Sequence, residues 1–126
     1  MLLDTNALIW WRMGSSRLGP KALRALDKAP ALYFSSVSIL ELEIKRMKQS
    51  VPVSFDFYQD LLESGFQEIR LSGEAAQGLR DYPTLVNHDP FDRALLASAA
   101  SFGVPFITSD SKILDLQLPF VIDACD

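Results

Sequence analysis

Short apolar runs alternate with longer stretches of helical spacing along this chain of 126 residues. Met1-Leu2-Leu3 reads as a buried strand, and a polar turn at Asp4-Thr5-Asn6 feeds a helix beginning at Ala7-Leu8-Ile9-Trp10-Trp11. Pro20 to Lys28 has the pattern of a short amphipathic helix with Leu23 and Leu26 inward, and Ala31 to Phe34 that of a second buried strand. Val37 to Lys48 carries helical spacing through Leu40, Ile44 and Met47. Pro52 interrupts the chain, Phe55 to Ser64 reads as a helix, and Gly65 to Leu71 as a third, alternating strand. Ser72 caps a helix through Arg80, and residues 82–88 form a loop.

The sharpest local pattern follows that loop. Asp89 stands as an N-cap, Pro90 takes the first helical position, and apolar residues at 91, 94, 95, 98/99 and 102 predict a central helix packed on a sheet. Gly103 to Thr108 predicts a fourth strand, Lys112 to Leu116 a last short helix, and Phe120 to Ile122 a terminal strand. This order predicts one α/β domain over residues 1–126: a central parallel sheet of about five strands flanked by helices.

Composition narrows the classes of function. Nearly half the residues are hydrophobic, enough for a core at this length, and no apolar run approaches the roughly 20 residues that span a bilayer. With no charged leader, a cytoplasmic protein is expected. The single Cys125 excludes an internal disulfide, and the single His88 leaves the chain short of the ligands of a usual zinc hydrolase. A net charge of −4 argues against a nucleic-acid surface built on lysine and arginine. Residues 1–50 nevertheless hold eight basic side chains against four acidic ones, and residues 51–126 hold four against twelve.

Four acids stand at comparable places in this order. Asp4 follows the first strand and Asp110 the fourth, while Glu41 and Asp92 are expected in the first turns of helices that follow a strand and a loop. Each has an ordinary explanation alone: Asp4 and Asp92 suit a helix N-terminus, and Glu41 pairs with Lys45 one turn on. Parallel topology brings the strand ends together, however, and that is where α/β folds bind ligands. Two carboxylates about 4 Å apart repel by about 4 kcal/mol at an effective dielectric near 20, so such a cluster needs cations or protons. Oxygen donors suit Mg²⁺ or Mn²⁺, and acids holding such an ion point to phosphodiester hydrolysis.

The segments Leu2-Leu3-Asp4-Thr5-Asn6, Ser36 to Lys45, His88-Asp89-Pro90-Phe91-Asp92-Arg93 and Ile107-Thr108-Ser109-Asp110 resemble, in order, the motifs of PIN-domain ribonucleases, above all the VapC-type toxins of toxin–antitoxin pairs. The resemblance implies a Mg²⁺-dependent endoribonuclease, with Mn²⁺ as a substitute, that works as a homodimer and is silenced by a cognate antitoxin. It makes Asp4, Glu41, Asp92 and Asp110 the catalytic, metal-binding set. Thr5, Asn6 and Ser109 would orient those acids or the substrate, Arg93 would meet a phosphate or a neighbouring acid, and Lys45 is a further substrate-binding cation. Two positions depart from the pattern. Asn87-His88 stands where many relatives have His-Arg, and Asn6 replaces a histidine.

Rival α/β readings fit less well. A receiver domain wants paired acids after the first strand and a lysine after the last, and a haloacid-dehalogenase-type phosphatase wants Asp-x-Asp where Asn6 holds the second place. A PIN scaffold without activity, docking a partner, is the remaining alternative. For a partner, Trp10, Trp11 and the stretch Val51 to Phe57 offer an apolar groove for an antitoxin helix or a twin subunit, against the ordinary reading as core.

Overall fold

The computed structural model describes residues 1–126. Five strands, β1 (Leu2–Leu3), β2 (Tyr33–Ser35), β3 (Gln67–Ile69), β4 (Phe106–Thr108) and β5 (Val121–Asp123), form one sheet in the order β3-β2-β1-β4-β5. Every pairing is parallel, with Leu2 opposite both Tyr33 and Phe106 and Leu3 opposite Ile107. Seven helices connect them: α1 (Thr5–Met13), α2 (Pro20–Lys28), α3 (Ser36–Arg46), α4 (Phe57–Glu63), α5 (Gly73–Gln77), α6 (Pro90–Phe102) and α7 (Ser111–Leu114). The expected α/β architecture is therefore observed. No helix is long and apolar enough to cross a membrane.

The period of two along each strand divides the core between the two faces of the sheet. Leu3, Phe34 and Ile107 face one cluster with Ala7 and Leu8 of α1, Ala22 and Leu26 of α2, Leu42 of α3 and Leu61 of α4. Leu2, Ile69 and Phe106 face the other, with Val37, Leu95, Leu96, Ala99 and Ile113. Helix α6 starts as its sequence dictates, capped by Asp89 with Pro90 behind it, and ends at Gly103 in the left-handed conformation, φ 76°.

Several boundaries and faces differ from expectation. The helix begun by Ser72 gives way to a 3₁₀ turn at Gly78–Asp81, and a second 3₁₀ turn at Pro83–Leu85 occupies part of the expected loop. Helix α4 starts at Phe57, leaving Phe55 outside it and 83% exposed. Leu40 and Met47 do not face inward, being 55% and 86% exposed; α3 instead buries Val37, Ser38, Glu41 and Leu42. Leu23 is likewise largely exposed, because Ala22 and Leu26, one turn apart, form the buried stripe of α2. Phe102 is exposed at the end of α6, where its ring meets Tyr33 edge-on. For Leu23 and Leu40 apolarity suggested a core position, and the packed face proved to be the neighbouring one around the helix axis, which carries Ala22 and Leu26 in α2 and Val37, Ser38, Glu41 and Leu42 in α3.

Sheet order is what places the site. The chain leaves β1 toward β2 and β3 on one side and returns to β4 and β5 on the other, so adjacent strands β1 and β4 diverge in connection. A crevice opens at the carboxyl ends of such a pair. Asp4 and Asp110 emerge there.

Candidate active site

Asp4 leaves β1 in extended conformation and caps α1, its Oδ1 accepting from the Ala7 N–H at 2.8 Å. Its Oδ2 accepts from the Thr108 hydroxyl at 2.7 Å and from the Ser109 N–H at 3.1 Å. The two readings of Asp4, cap and strand-end acid, are thus both true of one carboxylate. Of the carboxylate's two oxygens, Oδ1 with its single bond retains a further lone pair, while Oδ2 already accepts twice. Burial, with the charge of Glu41, pushes this carboxyl above the usual carboxylate range, against the three hydrogen bonds that pull it down.

Glu41 lies in the second turn of α3, not the first, and is buried while Glu43 points outward. Thr5 donates to Glu41 Oε1 at 2.6 Å and lies 2.9 Å from the Ser38 hydroxyl. Lys45 Nζ stands 2.9 Å from Glu41 Oε2, so the expected i,i+4 pair exists, with its acid in the site and its ammonium half-exposed.

Asp89 is spent on the helix end, its Oδ1 accepting from the N–H groups of Phe91 at 2.8 Å and Asp92 at 3.2 Å. Asp92, one turn further, receives no hydrogen bond on its carboxylate; the imidazole of His88 is near it, with Nε2 at 3.7 Å. Burial first, and then the negative charges of Asp110, Asp89, Glu41 and Asp4, raise its pKa to about 8. Asp110 caps α7 through Oδ1, which accepts from the Ile113 N–H at 3.0 Å, and its Oδ2 lies 2.7 Å from His88 Nε2.

The fold therefore gathers all four acids named from the sequence around the β1/β4 crevice, with Asp92 feeling the other three. Among the supporting residues, Thr5 touches Glu41 and Ser109 acts through its backbone N–H on Asp4. Asn6 is exposed beside Asp4. Arg93 makes no ion pair with a neighbouring acid, and its Nε is buried without a partner. Three contributors went unassigned in the sequence: Thr108, Ser38 and His88. Thr108 looked like an ordinary strand residue, yet it donates to Asp4 and accepts from the Asp110 N–H at 3.1 Å. His88, read as evidence against zinc and as a departure from the family pattern, sits with Asp92 and Asp110 in a group whose ligand atoms all lie within 4.8 Å of one another.

This donor set fits a divalent cation. Acidic oxygens in a partly dry crevice repel one another, and a carboxylate without any hydrogen-bond donor is left for a ligand to satisfy. Trp10 and Trp11, by contrast, pack against the core, Trp11 edge-on to Phe66, so for them the ordinary reading holds.

Comparisons with known proteins agree with this geometry. The family model described as the PIN domain matches residues 1–117. Ribonuclease VapC22 of Mycobacterium tuberculosis is 27% identical over 123 residues, which span 94% of this chain and 93% of that protein. Among solved structures, a toxin-antitoxin complex from Klebsiella pneumoniae superposes with a TM-score of 0.67 at 23% identity, covering 98% of this chain and 96% of its counterpart. DNA-bound VapBC from Salmonella typhimurium gives a TM-score of 0.65 at 18% identity, covering 98% and 97%. Motif order, sheet topology and the match over most of its length lead to one conclusion: this chain belongs to the PIN-domain family.

Proposed function

We propose that this chain is a divalent-metal-dependent endoribonuclease that hydrolyses RNA phosphodiester bonds and serves as the toxin of a toxin–antitoxin pair. The observation that carries the reading is the convergence of Asp4, Glu41, Asp92 and Asp110, which leaves Asp92 without a donor and with its pKa near 8. Likeness to a protein named as a ribonuclease supports the substrate class. These four acids would hold Mg²⁺ or Mn²⁺. When bound, such an ion lowers the pKa of a water and shields the charge on the leaving oxygen.

The rest of the work falls to the chain's own residues. Thr108 and the Ser109 N–H hold Asp4 in one orientation, and Thr5 does the same for Glu41. Lys45 offsets part of the Glu41 charge, which limits what it can offer a phosphate. Arg46, a basic residue of the same helix turn, is occupied by the carbonyls of Val53 and Ser54. Arg93, bound to no acid, is the better cation for an RNA phosphate, and exposed Asn6 is placed to touch the substrate.

An antitoxin and a second copy of the chain complete the reading as partners, with action in the cytoplasm where RNA is met. Two adjoining depressions of mixed character offer a partner a surface: they share Val53 and Ser54, one adding Met13, Phe57 and Asp60, the other Val51, Phe55 and Arg46.

The test is cleavage of cellular RNA by purified protein with Mg²⁺ or Mn²⁺. Cleavage that stops in excess EDTA and leaves no 2′,3′-cyclic phosphate, because water and not the 2′-hydroxyl attacks, is the expected result. Cleavage in EDTA would contradict it, and metal binding without cleavage would favour the scaffold alternative.

A further inference from the structure

We infer that His88 supplies an imidazole ligand to the metal and thereby tilts this site away from Mg²⁺ and toward transition-metal ions such as Mn²⁺; this rests on the metal-dependent reading above. His88 Nε2 lies 2.7 Å from Asp110 Oδ2 and 3.7 Å from Asp92 Oδ2. Around an octahedral ion with bonds of about 2.1 Å, adjacent ligand atoms are about 3 Å apart and opposite ones about 4 Å. The three side chains offer ligand atoms that all lie within 4.8 Å of one another, so side-chain rotations without movement of the backbone would seat an ion among them.

The backbone also holds the imidazole in place. The His88 N–H donates to the Leu85 carbonyl at 2.9 Å, in the turn that follows the 3₁₀ segment, and the Asp89 cap and Pro90 fix the chain immediately after it. The ring is largely buried, its side chain 14% exposed. In Asp110, Oδ1 is committed to the Ile113 N–H, so Oδ2 is the oxygen that meets His88 Nε2, in a hydrogen bond that an ion bound between them would replace. Imidazole suits first-row transition ions, whereas Mg²⁺ keeps to oxygen donors and water. An acid-only site has no such preference built in.

The competing account is that His88 merely balances the acids as a cation, a role an arginine at this position would fill. The two accounts give opposite signs. The experiment is electron paramagnetic resonance of Mn²⁺ bound to the intact protein, with electron spin-echo detection of directly coordinated ¹⁴N, alongside Mn²⁺ and Mg²⁺ affinities of wild type and His88→Gln. Expected are an imidazole ¹⁴N coupling in the wild type, its loss in His88→Gln, and Mn²⁺ affinity weakened at least about tenfold while Mg²⁺ affinity changes little. Bound Mn²⁺ without ¹⁴N coupling overturns the inference and leaves the nuclease reading intact. Tighter binding of both ions by His88→Gln also overturns it, in favour of the counter-charge role. Failure of the wild type to bind Mn²⁺ at millimolar concentration overturns the inference and the metal-dependent reading together. The wild-type spectrum decides the central point without any variant having to fold.

Discussion

Thr108 donates its hydroxyl proton to Asp4 Oδ2 at 2.7 Å, joining the ends of β4 and β1 across 104 positions of sequence. The same oxygen atom of Thr108 accepts from the Asp110 N–H, so one side chain sets the orientation of two acids. Thr108→Val keeps the shape and removes both interactions. It should cost about 1–3 kcal/mol through the polar groups left unpaired, and it should weaken metal binding. Thr108→Ser should restore both. Chemical denaturation and a Mn²⁺ titration of the two variants check this, and equal behaviour of valine and serine would deny Thr108 its role.

Asp89 and Asp92, three residues apart, should respond oppositely to loss of charge. Asn caps about as well as Asp, so Asp89→Asn should leave stability nearly unchanged and retain much of the activity, while Asp89→Ala should cost about 1 kcal/mol. Asp92→Asn relieves repulsion among buried acids, so the metal-free protein should be as stable or more so, yet RNA cleavage should be abolished. Denaturation and cleavage assays on the same three variants separate cap from ligand. An inactive Asp89→Asn beside an active Asp92→Asn would reverse the assignment.

Stability of the metal-free protein should depend on pH in a direction set by Asp92. Its folded pKa of about 8 lies above the unfolded value of about 3.9, so between these the folded state binds more protons than the unfolded one. Below about pH 4 both states hold the proton and Asp92 carries no penalty; as pH rises from there toward 8 only the unfolded carboxyl ionises freely, so stability falls, and above 8 the loss is complete. Asp4, also shifted upward, acts in the same sense. Urea denaturation across this window should show the decline, and millimolar Mg²⁺ or Mn²⁺ should flatten it by binding the folded state. A stability that climbs with pH from this source would mean the acids do not converge.

Gly19 at the start of α2 offers a test of the fold away from the site. Its N–H donates to the Ala124 carbonyl at 2.9 Å, and a Cβ there would collide with the backbone of Cys125 and Asp126. Gly19→Ala should therefore displace residues 124–126 from α2 and cost about 1–3 kcal/mol by overpacking. A melting curve unchanged from wild type would show that this tail contributes nothing.

Hydrophobic periodicity made the alternation of strands and helices legible, because burial on a two-faced parallel sheet imposes apolar runs on β1, β2 and β4 and stripes on the helices. Capping chemistry located the start of α6 to the residue, since Asp89 and Pro90 have few other uses together. Inward faces were less legible. Leu40 and Met47 advertise a core position, whereas α3 turns Ser38 and Glu41 toward the crevice because the site requires polar groups there. Likewise, nothing local marks Thr108 or His88. The closing of β4 against β1 brings Thr108 to Asp4, and the placement of the start of α6 beside the end of β4 brings His88 to Asp110.

The most direct test of the account is RNA cleavage by wild type and by Asp92→Asn of demonstrated fold, each with Mn²⁺ and each with excess EDTA. The account predicts cleavage in one of these four reactions alone, the wild type with Mn²⁺. Cleavage by folded Asp92→Asn at the wild-type rate, or by the wild type in EDTA, would contradict the claim that these converging acids act by holding a metal.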